Sequence, residues 1–192
     1  MAGAPFLFGK LPAHGDFVAR GLADGPRQAW DDWATTALER LGAAHSDYEA
    51  AHDAAPPWRF IAGPSPLGPG WRAGALAPSI DSAGRRFILV VGVDGLPPSH
   101  AGGQGQDLAR AMEDALYRAL AEGQTADEVM RLLAEELQAF ADLTRVAETL
   151  SAAPTGAGVW WSPAAGLGPR AGALPAADLL IEPPLERSEN AA

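Results

Sequence analysis

The stretch that most constrains the fold is Phe6-Leu7-Phe8-Gly9-Lys10-Leu11-Pro12-Ala13-His14-Gly15-Asp16-Phe17-Val18-Ala19-Arg20-Gly21. Its apolar start, Pro5 to Phe8, reads as the opening strand of a buried sheet. Gly9, Pro12 and Gly15 then force the chain to turn within a few residues. Lys10, His14, Asp16 and Arg20 are crowded into that turn between apolar neighbours. Polar groups held so close to a core must satisfy one another or meet a partner. A second stretch, Pro78 to Arg86, has the same character: Pro78, Ser79, Asp81, Gly84, Arg85 and Arg86 follow an apolar run.

The rest of the chain reads as helices and strands around these two turns. Gly25-Pro26 predicts a helix start, with proline where its missing N–H does no harm. Trp30, Trp33, Ala37, Leu38 and Leu41 recur at helical spacing on one apolar face, and Gly42 is the expected left-handed terminator. A shorter helix is expected over Ser46 to Ala54. Strands are expected at Trp58 to Ala62, Trp71 to Ala77 and Arg86 to Val93. Phe87 to Val91 is apolar throughout and suits a strand covered on both faces. Asp81-Ser82-Ala83-Gly84 between the last two is hairpin-turn chemistry.

Asp94 to Gly105 is expected as a loop, followed by an amphipathic helix through Leu108, Met112, Ala115, Leu116 and Ala119 that Gly123 ends. Thr125 and Glu128 spell a capping box for the next helix, whose buried stripe is Val129, Leu132, Leu133, Leu137 and Phe140. Gly158 to Trp161 is a further expected strand, Leu179 to Ile181 a short apolar patch, and residues 183–192 a disordered tail. The element order implies an α/β (α+β) fold: one domain over 1–182, an α-β-α sandwich on a mixed, largely antiparallel sheet. That order is similar to longin or profilin-like domains, an analogy that carries no function by itself.

Composition narrows the function. A net charge of -10 argues against general affinity for nucleic acid or anionic lipid. More than half of it falls between residues 105 and 150, where ten acids face four arginines on what read as solvated helix faces. The absence of cysteine fits a reducing compartment. No secretory signal pattern and no apolar run near the ~20 residues of a membrane span are visible, so a cytoplasmic protein is expected.

Chemistry-bearing constellations are few. His14, Asp16, Ser79 and Asp81 supply the residue types of a serine triad, without a Gly-x-Ser-x-Gly elbow or an evident oxyanion loop. His45 and His52 stand seven apart beside Asp53, too wide for a familiar zinc pair, and read as two surface histidines on a short helix. Gly102-Gly103-Gln104-Gly105-Gln106-Asp107 lacks the third glycine and the Lys-Ser/Thr pair of phosphate cradles, and Asp107 would repel phosphate. Neither metal nor cofactor is expected. Asp16 and Asp81 are candidate partners for Arg85 and Arg86, an ion-pair network that would fix how the turns dock or form a partner-binding patch.

The block Phe8 to Leu22 resembles the N-terminal signature of the TagF (ImpM) family, accessory proteins of the bacterial type VI secretion system. The resemblance continues through Trp30-Asp-Asp-Trp33, Pro57-Trp-Arg-Phe60, Gly74-Ala-Leu-Ala-Pro-Ser-Ile-Asp-Ser-Ala-Gly-Arg85, Trp160-Trp161 and Gly172-Ala-Leu-Pro175. The family usually carries a larger apolar residue where this chain has Ala77. What the resemblance implies is an α/β, non-enzymatic, cytoplasmic protein that restrains assembly or firing of the apparatus after translation. It also implies a partner, a scaffold protein with a forkhead-associated domain. Lys10, Pro12, His14, Gly15, Asp16, Phe17, Arg20, Pro78, Ser79, Asp81, Gly84 and Arg85 are the expected partner-binding or fold-fixing residues. The alternatives are a structural component of the same machine and a hydrolase using His14 and Ser79.

Overall fold

A computed structural model describes residues 3–96, 103–143, 158–172 and 180. The described elements run β1 (Ala4–Gly9), β2 (Val18–Arg20), α1 (Asp24–Ala44), α2 (Tyr48–Ala54), β3 (Trp58–Ala62), β4 (Trp71–Ile80), β5 (Arg86–Leu96), α3 (Gly103–Glu122), α4 (Ala126–Leu143), β6 (Gly158–Ser162) and β7 (Leu167–Gly172). The seven strands form one sheet in the order β2-β1-β5-β4-β3-β6-β7. Every described pairing is antiparallel.

Strand alternation divides the buried side chains between two layers. One face sends Leu7, Ile61, Ala73, Ala75, Ala77, Leu89, Val91 and Val93 against α3 and α4. The other sends Phe6, Phe8, Phe60, Leu76, Ile88 and Val90 against α1, whose Trp30, Trp33, Ala37 and Leu41 complete that core. The α-β-α sandwich expected from the sequence is thus the observed architecture. Gly74 and Gly92, opposite each other at the sheet centre, leave room for rings on this second face. A Cβ at Gly74 would lie 2.7 Å from the Phe60 ring, and one at Gly92 2.9 Å from Phe6.

Several boundaries differ from the sequence reading, each for a physical reason. β4 runs past Pro78 to Ile80 because β3 pairs with it only as far as Leu76. Beyond that point one side of β4 is open, and a missing N–H costs the ladder nothing. β2 and β7 were not expected: one is three residues long, the other lies in a stretch rich in Ala, Gly and Pro. α1 continues past Gly42, which keeps an ordinary negative φ, to a cap at His45. Gly103 and Gly105, read as loop, lie in the first turn of α3. Glu113, counted with the solvated acids, is buried and paired with Arg59 of β3. The expected tail at 183–192, Leu179, Ile181, the Phe140 side chain and Ala173-Leu-Pro175 lie outside the described residues.

Candidate functional site: a ledge of two docked turns

β1 ends at Gly9, whose φ of 129° and close approach to the Ile88 carbonyl leave no space for a Cβ. The chain leaves the sheet there and returns as β2 at Val18, so residues 10–17 form a turn beyond the strand ends. The β4–β5 hairpin turn, 81–85, lies against it. Their backbones join directly, Ser82 N–H donating to the His14 carbonyl at 2.8 Å. Ser79 Oγ donates to the Lys10 carbonyl at 2.8 Å. A third link runs from the Arg85 guanidinium to the Gly15 carbonyl.

Asp81 is the hub. Its side chain is inaccessible, yet it accepts from Lys10 Nζ at 2.9 Å and from Arg85 Nε at 2.7 Å. The Arg85 and Ala83 backbone N–H groups donate to its other oxygen at 2.9 and 3.0 Å. Burial pushes the Asp81 carboxyl upward, but the bonds from Lys10, Arg85 and Ala83 outweigh it and hold the group well below the usual carboxylate range. Gly84, at φ 78°, supplies the left-handed residue that closes this turn. Lys10, the chain's single lysine, is thereby buried, and its ammonium also lies 5.0 Å from the Phe17 ring centroid.

The structure assigns the expected residues unequal parts. Asp16 is not an arginine partner: its carboxylate accepts from the Phe17 N–H at 2.8 Å, a local turn bond that leaves it exposed. Arg86 points away from the ledge to Asp53 and Glu49 of α2. His14 reaches α4, accepting the Ala126 N–H on Nε2 at 2.9 Å. That bond fixes the proton on Nδ1, since Nε2 must offer its lone pair. Arg20 pairs at 3.4 Å with Asp127 in the first turn of α4. Pro12 and Pro78 have no backbone N–H and no polar side chain.

No Ser–His dyad forms. The Ser79 hydroxyl is spent on a carbonyl and the lone pair of His14 on a helix N–H. The histidine pair is also corrected. His45 caps α1 outside α2, whereas His52 is buried, its ring nitrogens facing the Phe87 carbonyl and the Asp53 carboxylate. Asp53 is drawn down to about 2, chiefly by the Arg86 bonds and then by His52. Sequence reasoning missed this α2–β5 clamp, and the adjacent His52-Asp53 pair was its visible signal. No group of His, Asp or Glu suited to a metal ion occurs among the described residues.

The comparisons bear on the same turns. A family model described as "TagF N-terminal domain, Type VI secretion system-associated" matches residues 7–136, which contain both. The chain belongs to the TagF family. It is therefore a type VI secretion system-associated accessory protein. The fold matches a crystal structure of PA0076 from Pseudomonas aeruginosa PAO1 at 2.05 Å resolution, with a TM-score of 0.69 and 22% identity over 92% of each chain. No curated protein matches the chain. None of the described helices is long and apolar enough to cross a membrane.

Proposed function

We propose that this TagF-family chain, as a single unit over residues 1–182, is a cytoplasmic negative regulator of type VI secretion. It acts after translation, without chemistry of its own, by binding a component of the apparatus. The partner is the scaffold protein carrying a forkhead-associated domain. The observation behind this reading is that the two signature blocks meet in one ledge whose reactive groups are all consumed in holding it together. Ser79, His14 and Asp81 are tied to the fold, while Phe17 and Arg85 remain at the surface.

The sheet edges favour the turns over strand addition. On β2 the Ala19 carbonyl is covered by Arg20 Nη1 at 3.0 Å, and β7 carries Pro169. Both devices blunt an edge. Deleting the gene in a strain with an active system tests the reading. Release of the tube protein should rise, and restoring the wild-type gene should suppress it again. A fall would make the chain a structural component, and no change would remove the regulatory role.

A further inference from the structure

We propose that His14 is a proton-operated joint between the ledge and α4: when neutral, its imidazole ties the turn to the helix start, and when protonated it lets go. The joint belongs to the chain itself and stands whatever partner the ledge takes.

The tie is a single bond made across 112 residues of sequence, in which His14 Nε2 accepts the Ala126 N–H at 2.9 Å. Ala126 opens α4, so its N–H is among those at a helix start that find no carbonyl within the helix. An imidazole accepts only while it is neutral; once protonated, both of its nitrogens donate. Proton uptake therefore sets N–H against N–H. It also places a cation at the positive end of the dipole of an 18-residue helix. Both effects have the same sign: the tie is complete on the alkaline side and is lost as pH falls.

The charged groups around the joint are engaged elsewhere. On α4, Glu128 is bonded to Thr125, and Asp127 pairs with Arg20 of β2. At the end of α3, Glu122 accepts from Gln124. On the hairpin, Asp81 takes Lys10 and Arg85, and within the turn Asp16 accepts the Phe17 N–H. Among the described residues no carboxylate pairs with the His14 ring to favour its charged form, as Asp53 does with His52.

Proton uptake leaves the two turns docked on each other. Their link uses the His14 backbone carbonyl, which accepts the Ser82 N–H, and the buried Lys10–Asp81 pair. Of the polar ties from the ledge to α4, the exposed Arg20–Asp127 contact at 3.4 Å then remains, and it is of little strength. Acid changes how the ledge is held on the start of α4 and leaves the ledge itself intact.

The test is amide hydrogen exchange of the full chain, followed residue by residue by NMR at pH 7.5 and 5.5, the interval in which imidazoles gain their charge. Wild type is compared with His14→Gln, whose side-chain carbonyl can accept the same N–H at either pH. Corrected for the intrinsic pH dependence of exchange, protection of the Ala126 N–H in wild type should fall about fivefold on acidification, the worth of one helix cap. The Ser82 N–H should keep its protection, and Ala126 in His14→Gln should be protected equally at both pH values. Unchanged protection of Ala126 in wild type would overturn the joint, as would a loss shared by Ser82 or an equal loss in His14→Gln. Ring nitrogen spectra of the wild type at pH 7.5 give a check that needs no variant: the proton should be on Nδ1 of His14, and a proton on Nε2 would overturn the joint as well.

Discussion

Lys10 and Asp81 are 71 residues apart in sequence and 2.9 Å apart in the fold. Neither is reachable from solvent alone, so each depends on the other. Because Lys10 is the only lysine, its acylation by an amine reagent reports this pair without interference from other side chains. The native chain should be protected at Lys10, and Asp81→Asn should raise the labelling rate by about tenfold or more as the unpaired ammonium seeks water. Equal rates, read by mass spectrometry, would show that the pair does not hold the turn. The sequence made Asp81 legible through its hairpin chemistry. It could not choose between Asp81 and Asp16, because both are aspartates in glycine-bounded turns; only the register of β4 on β5 decides which one points inward.

At the scale of elements, α2 and α4 are fastened by polar groups rather than by large apolar faces alone. Arg86 holds Asp53 at 2.9 and 3.1 Å, and the Asp53 carboxyl lies at about 2, below the ordinary value near 4. A depressed carboxyl contributes stability that is complete above the unfolded value and lost as pH falls through the folded one. Stability should therefore decline between pH 4 and 2 from this group, with Asp81 adding to the same acid limb. Asp53→Asn should lower the Tm at neutral pH and make the acid decline shallower. A parallel decline, followed by thermal melts across that range, would separate α2 docking from Asp53.

The start of α4 depends on two caps of different origin. Thr125 Oγ1 accepts from the Glu128 N–H at 3.4 Å and Glu128 accepts from the Thr125 N–H at 2.8 Å, the capping box legible in sequence. His14 accepts the next N–H from across the molecule, and only the fold could reveal it. Thr125→Ala and His14→Ala should each cost about 1 kcal/mol in denaturant unfolding. No loss from His14→Ala would mean that the imidazole does not cap the helix. α4, β3 and the β4–β5 hairpin were legible because period, length and turn residues agreed. β2 was hidden by its brevity, whereas the separate α2 was legible and only the run of α1 past Gly42 to Ala44 was not.

For the molecule as a whole, two faces of apolar side chains hold an antiparallel sheet, and two turns beyond its strand ends dock through buried charge. The family match makes the chain type VI secretion system-associated, and the ledge is where its signature residues gather. The central claim is that this ledge works by contact and not by catalysis. Secretion of the tube protein from a deletion strain, complemented in turn with wild type, Ser79→Ala and Phe17→Ala, tests it most directly. Wild type and Ser79→Ala should restore restraint at equal protein levels, and Phe17→Ala should not. Restraint lost with Ser79→Ala and kept with Phe17→Ala would contradict the account.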